Sequence, residues 1–169
     1  MRPSAEQVMG WLGEVPDPEI PVISITDLGI VRDVDWQGET LVVTVTPTYS
    51  GCPATSLINL EIERHLRDRG IGSVRIERQL SPPWTTDWIA TDARERLRAY
   101  GIAPPIDGTA SAGPVTARAA RLAGTRLEVQ CPRCGSAATE EVSRFGSTPC
   151  KAAWRCRDCL EPFDHFKCH

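Results

Sequence analysis

Two Cys-x2-Cys pairs constrain this chain more than any other feature. Cys131 is followed by Cys134, and after 21 further residues Cys156 is followed by Cys159. Two residues between cysteines let both sulfurs of a tight turn face one ion, and Gly135 suits the turn that follows such a pair. The intervening segments, 139–145 and 152–154, are predicted to form short strands that bring the two knuckles together. A module of this size has too little apolar core to fold alone, so metal binding is expected to supply most of its folding free energy. Four thiolates in a tetrahedron suit zinc or a single iron, and spacing does not choose between them. Structural zinc is the expectation, with iron as the alternative. A site closed by four protein ligands argues against hydrolytic zinc catalysis.

Seven cysteines, an odd number, fit metal or thiol chemistry better than disulfides in a reducing compartment. The first ten residues have no apolar signal core and contain Glu6 and Gln7, so a cytoplasmic protein is expected. No apolar run is long enough to span a bilayer. The formal net charge of -3 gives no whole-chain basic footprint, and nucleic acid is not an expected partner. Cys150, Cys168, His165 and His169 lie near the ribbon in sequence. They read either as spare thiols and solvated histidines or as ligands of an accessory metal site.

Ahead of the ribbon the pattern is α+β. Ser4 and Gln7 are spaced as a capping box. Val8, Trp11 and Leu12 share a helical face, and Gly13 marks the stop. Three prolines in Pro16-Asp17-Pro18-Glu19-Ile20-Pro21 forbid a regular helix or a central strand. β-branched runs at 30–34 and 41–46 around Gln37-Gly38 predict an antiparallel hairpin. A second helix is predicted to start at Pro53, with Leu57, Ile58, Ile62 and Leu66 as its apolar stripe and Gly70 as its stop. A strand follows at 74–80. A third helix is predicted after Thr85 or Thr86, with Ile89, Ala93, Leu97 and Tyr100 on one face. The order α-β-β-α-β-α defines a small α/β domain over 1–102. Residues 103–125, rich in Ala, Gly, Pro and Thr, are predicted to be a linker with a helical piece near 115–122. The β-rich ribbon occupies 126–169.

Cys52 stands in Thr48-Tyr49-Ser50-Gly51-Cys52-Pro53. With Pro53 at the first helical position, Cys52 falls at the N-cap, where free N–H groups favour a thiolate able to bind metal. A buried structural cysteine is the plain alternative. Asp17 and Glu19 flank Pro18 as turn residues or as a rigid pair of carboxylates. His65 reads as a packed histidine.

Asp17-Pro18-Glu19-Ile20-Pro21, Asp27-Leu28-Gly29-Ile30-Val31, residues 44–46 and Gly51-Cys52-Pro53 resemble, in order, the motifs of the MIP18 family (DUF59). That family has a small α/β fold and is associated with assembly of iron-sulfur proteins. The tail motifs Phe145-Gly146-Ser147-Thr148-Pro149-Cys150-Lys151 and Glu161-Pro162-Phe163-Asp164-His165-Phe166-Lys167-Cys168 extend the resemblance, nearly end to end, to the PaaD family of the phenylacetyl-CoA epoxidase system in phenylacetate degradation. The resemblance implies a non-catalytic accessory factor that matures iron-sulfur centres of that oxygenase, with its iron-sulfur flavin reductase subunit as client. It implies Cys52 as a transient ligand of iron or a cluster, alone or shared across a homodimer, with Asp17 assisting. The ribbon would dock the client.

Direct oxygenase chemistry is not expected. Glu61-x3-His65 and Glu161-x3-His165 have the wrong spacing for the Glu-x2-His motif of di-iron bundles, and no nucleotide-binding glycine fingerprint is present. A rubredoxin-like electron carrier remains the alternative, and it requires iron rather than zinc in the ribbon. A non-catalytic structural subunit of the oxygenase is the other.

Overall fold

The computed structural model describes residues 2–49, 51–106 and 128–167. The chain divides into two compact units: Met1–Trp84 with Trp88–Ala90, and Thr85–Asp87 with Thr91–His169.

The first unit opens with helix α1 (Ala5–Leu12), started by the expected capping box. Ser4 Oγ accepts from the Gln7 N–H (3.1 Å), and Gln7 Oε1 accepts from the Ser4 N–H (2.9 Å). Strands β1 (Val31–Gln37) and β2 (Thr40–Val45) form the predicted antiparallel hairpin, with an irregularity between Val31 and Asp33. Helix α2 (Thr55–Asp68) carries the chain across to β3 (Val74–Arg78), which pairs parallel to β2, giving the sheet order β1-β2-β3. Leu41 and Val43 on the sheet, Val8 and Leu12 on α1, and Ile62 and Leu66 on α2 are fully buried. The stripe of α2 differs at one place. Thr55, Ile58, Ile62 and Leu66 face inward, whereas Leu57 is exposed, because the i, i+3, i+4 row through Ile62 passes over position 58.

The proline-rich loop and the turn after it are also core. Ile20, Ile23, Ile25 and Leu28 are all buried. Asp17, itself buried, fixes this loop: its Oδ1 accepts from the N–H groups of Glu19 and Ile20, both at 2.9 Å. The turn ending at Gly29 is covered by Trp84, whose indole Nε1 donates to the Leu28 carbonyl at 2.8 Å.

The third helix starts later than predicted. Residues 86–88 form a 3-10 turn, and α3 runs Thr91–Tyr100. Ile89 is buried ahead of the helix, and Tyr100 is exposed at its end. Trp84 and Ile89 are committed to the first unit's core, so the chain turns regularly helical only beyond Ala90. α3 groups with the second unit, so the division differs from the boundary expected between 102 and 103.

The second unit contains a four-stranded sheet in the order β4-β7-β6-β5: β4 (Ile102–Ala103), β5 (Thr139–Ser143), β6 (Lys151–Cys156) and β7 (Pro162–Phe166). β5, β6 and β7 are antiparallel neighbours, while β4 pairs parallel to β7 through Ile102 with Asp164 and Ala103 with His165. Ala103, expected in the linker, is therefore buried in a strand. The helical piece predicted near 115–122 lies outside the described residues. Arg94 closes this edge: its guanidinium donates to the carbonyls of Pro105 (2.8 Å) and Thr86 (2.6 Å).

Candidate functional site

The two cysteine pairs sit on knuckles of matching backbone design. In the first, the Gly135 N–H donates to the Cys131 carbonyl and the Cys131 N–H to the Ser136 carbonyl, both at 2.9 Å. In the second, the Cys156 N–H donates to the Glu161 carbonyl at 3.0 Å, the same five-residue reach. The knuckles are tied together. Arg157 N–H donates to the Ala138 carbonyl at 2.7 Å, and Ser136 Oγ donates to Asp158 Oδ2 at 2.5 Å. Thr139, at the start of β5, pairs directly with Cys156 at the end of β6.

This framework brings the four predicted sulfurs together within 4.8 Å of one another. Cys131 and Cys159 are 3.7 Å apart at sulfur, and Cys134 and Cys156 3.6 Å. A tetrahedral ion with metal–sulfur bonds of about 2.3 Å has edges of about 3.8 Å, so the donor set fits a four-thiolate metal. Cys131 and Cys156 are buried, whereas Cys134 and Cys159 are exposed.

The electrostatics also call for a cation. The Cys159 amide, with that of Asp158, donates to the Cys156 sulfur and lowers that thiol to about 7 against burial. At Cys159 the Glu161 amide pulls downward, but burial and the sulfurs of Cys134, Cys156 and Cys131 outweigh it and push the thiol up to about 12. Cys134 is raised as well, with the Ser136 amide and the Cys159 sulfur outweighed by burial and the sulfurs of Cys156 and Cys131. One thiolate forms readily and the next ones meet its charge. A divalent ion removes that conflict, because soft thiolates bind it as the anion.

Cys150 and His165 stand outside this group. The ribbon cysteines are the one set of three or more such ligands close enough to share an ion among the described residues. Cys168 and His169 lie outside the described residues. Cys150 is buried, with the Thr148 hydroxyl 3.0 Å from its sulfur. His165 is buried with its ring edge-on to Trp154, centroids 5.8 Å apart, and its Nε2 has no hydrogen-bond partner among the described residues.

Burial, with the nearby Lys167 charge, lowers the His165 pKa from 6.5 to about 4. The unfolded chain therefore takes up this proton in the window between those values while the folded chain does not. The stabilisation is complete above about pH 6.5 and is lost as the pH falls toward 4, on the order of 3 kcal/mol in all. With metal kept saturating, denaturant unfolding of the second unit is expected to lose stability across this window more steeply in the wild type than in His165→Phe. Parallel pH curves for the two proteins would count against this account.

Cys52 does not occupy the predicted N-cap. α2 begins at Thr55, with Ala54 in the N-cap position and no side-chain cap. Cys52 lies two residues further out in a turn: its N–H reaches the Tyr49 carbonyl (3.2 Å) and its carbonyl accepts from Thr55 (3.3 Å). Pro53 starts this turn rather than the helix, so the sulfur is not held at the helix's first N–H groups. Cys52 is partly exposed, and it is the one cysteine ahead of the ribbon. The Asp17 Oδ1 atom already holds two loop amides, so that oxygen is engaged in shaping the proline-rich loop. His65, read as packed, is partly buried, with Nε2 2.8 Å from the Trp11 carbonyl oxygen.

Two features escaped the sequence reading. Lys151 is buried, with its Nζ 3.6 Å from Asp164 Oδ2, and that carboxylate also accepts from Ser147 Oγ at 2.7 Å. Gly146 lets its loop close over this pair, since a Cβ there would lie 2.6 Å from Asp164 Oδ1. The Phe-Gly-Ser-Thr-Pro-Cys-Lys motif thus serves the packing of the ribbon. The second feature is Leu160, which occupies the place after its Cys-x2-Cys pair that Gly135 occupies after the first. Aligning the two pairs would have revealed it.

The fold and the metal centre define a two-module chain: an iron-sulfur-assembly domain followed by a zinc ribbon. Residues 5–77 match the family described as "Iron-sulfur cluster assembly protein", and residues 115–167 match the "PaaD zinc beta ribbon domain". The chain belongs to the PaaD family. A protein of Escherichia coli (strain K12), provisionally named as one of the subunits of 1,2-phenylacetyl-CoA epoxidase, is 48% identical over 166 residues, which span 98% of this chain and 94% of that one. The Fe-S protein maturation auxiliary factor YitW of Bacillus subtilis (strain 168) is 36% identical over 94 residues, 54% of this chain and 91% of YitW. The crystal structure of a DUF59 domain from Bacillus anthracis superposes with a TM-score of 0.51 at 26% identity, covering 55% of this chain and 90% of that one. No helix among the described residues is long and apolar enough to cross a membrane.

Proposed function

We propose that this protein is a non-catalytic, cytoplasmic accessory factor that delivers iron or an iron-sulfur cluster to the phenylacetyl-CoA epoxidase system. The client is the iron-sulfur flavin reductase subunit. Cys52 is the transient ligand, and the four-cysteine ribbon holds structural zinc and docks the client. One observation carries the reading. A single chain joins a domain of the iron-sulfur assembly type, whose one cysteine is partly exposed in a turn, to a ribbon whose four sulfurs lie close enough to share one ion. The ribbon is suited to keeping its metal and Cys52 to passing one on.

The chemistry is ligand exchange. Iron-sulfur clusters are held by several thiolates, and the first unit offers one. A cluster on Cys52 keeps coordination positions for a donor, a second copy of the chain or the client's own cysteines. It leaves as those thiolates replace Cys52, with no change of redox state required. Asp17 acts by fixing the proline-rich loop.

Metal and sulfide analysis of anaerobically prepared protein tests this. About one zinc per chain is expected in both the wild type and Cys52→Ser, and iron with sulfide after cluster loading only in the wild type. Zinc alone in the loaded wild type would end the carrier role and leave a docking function. Iron without sulfide, retained in Cys52→Ser, would mark the ribbon as a rubredoxin-like electron carrier.

A further inference from the structure

The two knuckles differ at one position with a physical cost. Gly135 follows the first cysteine pair with φ +77°, and Leu160 follows the second with φ +62°. This left-handed region is free to glycine and strained for a residue with a Cβ. Leu160 is the one non-glycine residue at positive φ among the described residues. Burial does not repay the strain, because Leu160 is 60% exposed. The first knuckle closes the same turn with no side chain at all, so the leucine is not needed to build the metal site. Backbone strain that the metal site does not need and burial does not repay is the kind that is held at functional positions.

We propose that Leu160 is the anchor by which the ribbon docks its client, entering an apolar socket rimmed by Lys or Arg on the partner protein. This rests on the client-docking reading above and adds the contact residue and the chemistry of the partner surface. The charge of the rim comes from the surroundings of Leu160. Asp158 and Glu161 stand close on either side of it in sequence, and Cys159, an exposed member of the four-cysteine group, directly precedes it. Four thiolates around a divalent ion carry a net charge of about -2. Arg133 lies 3.6 Å from Glu161 and Arg157 2.7 Å from Glu140, so the uncompensated negative charge beside Leu160 is that of Asp158 and of the four-cysteine centre. An apolar tip in an anionic ring is complemented by an apolar socket with a basic rim, and such a contact weakens as salt screens it.

The experiment titrates the full-length, metal-loaded protein against each purified subunit of the phenylacetyl-CoA epoxidase, using wild type, Leu160→Gly and Leu160→Met. Leu160→Gly is expected to bind about tenfold or more weakly. Its metal content should be unchanged and its unfolding midpoint equal to or above the wild type, because the strain is gone. Leu160→Met, still apolar, should bind near the wild-type level. Unchanged affinity in Leu160→Gly would overturn the anchor and leave the client reading standing. Weaker binding accompanied by lost metal or a lowered midpoint would also overturn it, since Leu160 would then be structural. Failure of the wild type to bind any subunit would overturn both.

Discussion

Replacing Cys156 by Ser, or stripping the metal with a chelator, is expected to unfold the second unit and leave the first one folded. The apolar cluster beneath the ribbon consists of Ala103, Val129, Cys131, Ala152, Trp154, Cys156 and Phe163, with Ile106 at its edge. Two of these residues, Cys131 and Cys156, belong to the four-cysteine group able to hold an ion, so an ion bound there would be continuous with the core. Loss of a structural metal site removes on the order of 10 kcal/mol, comparable with the whole net stability of a typical domain. The first unit has its own core in α1, α2 and β1 to β3, and YitW, which this chain covers over 91% of its length, aligns over only 94 residues. α3 and β4 group with the ribbon, so part of the helical signal should disappear with the metal. Far-ultraviolet circular dichroism, together with emission from the buried Trp154, reads both effects. A chelated protein that keeps its Trp154 emission and its full helix content would show that the ribbon folds without an ion.

Gly29→Ala is expected to cost the first unit about 3 kcal/mol or more. Gly29 has φ +69°, and an added Cβ would lie 2.7 Å from Trp88 Cβ and 2.9 Å from the Trp88 carbonyl oxygen. The opposing chain cannot easily retreat, because the Ala90 N–H donates to the Asp27 carbonyl at 2.9 Å and Trp84 is hydrogen-bonded to Leu28. Gly38→Ala is the control: φ is +61° but nothing lies within 4 Å of its added Cβ, so it carries only the backbone strain of about 1 kcal/mol. Urea unfolding midpoints of the two variants decide the matter. Equal losses would mean that the contact with Trp88 yields at no cost.

Features set by short-range chemistry were legible in the sequence. The capping box needs only Ser4 and Gln7, the hairpin only β-branched runs around Gly38, and the metal centre only the paired spacing of its cysteines. What could not be read depends on partners distant along the chain. β4 is two residues long and exists because Ile102 and Ala103 meet Asp164 and His165, a pairing no local periodicity announces. The start of α3 was misplaced because Trp84 and Ile89 are spent on the first unit's core. Cys52 was misplaced because proline suits the first turn of a helix and the turn before it equally well. The prolines of the loop exclude regular structure there but do not announce that Ile20, Ile23 and Ile25 bring it into the core.

Each knuckle contributes one sulfur to the protein interior, Cys131 or Cys156, and one to the surface, Cys134 or Cys159. An ion held this way has a dry hemisphere and a wet one. Oxidants and competing chelators reach it from the wet side, so damage begins at the outer sulfurs while the inner pair still holds. The ribbon is thus set to fail from the outside inward.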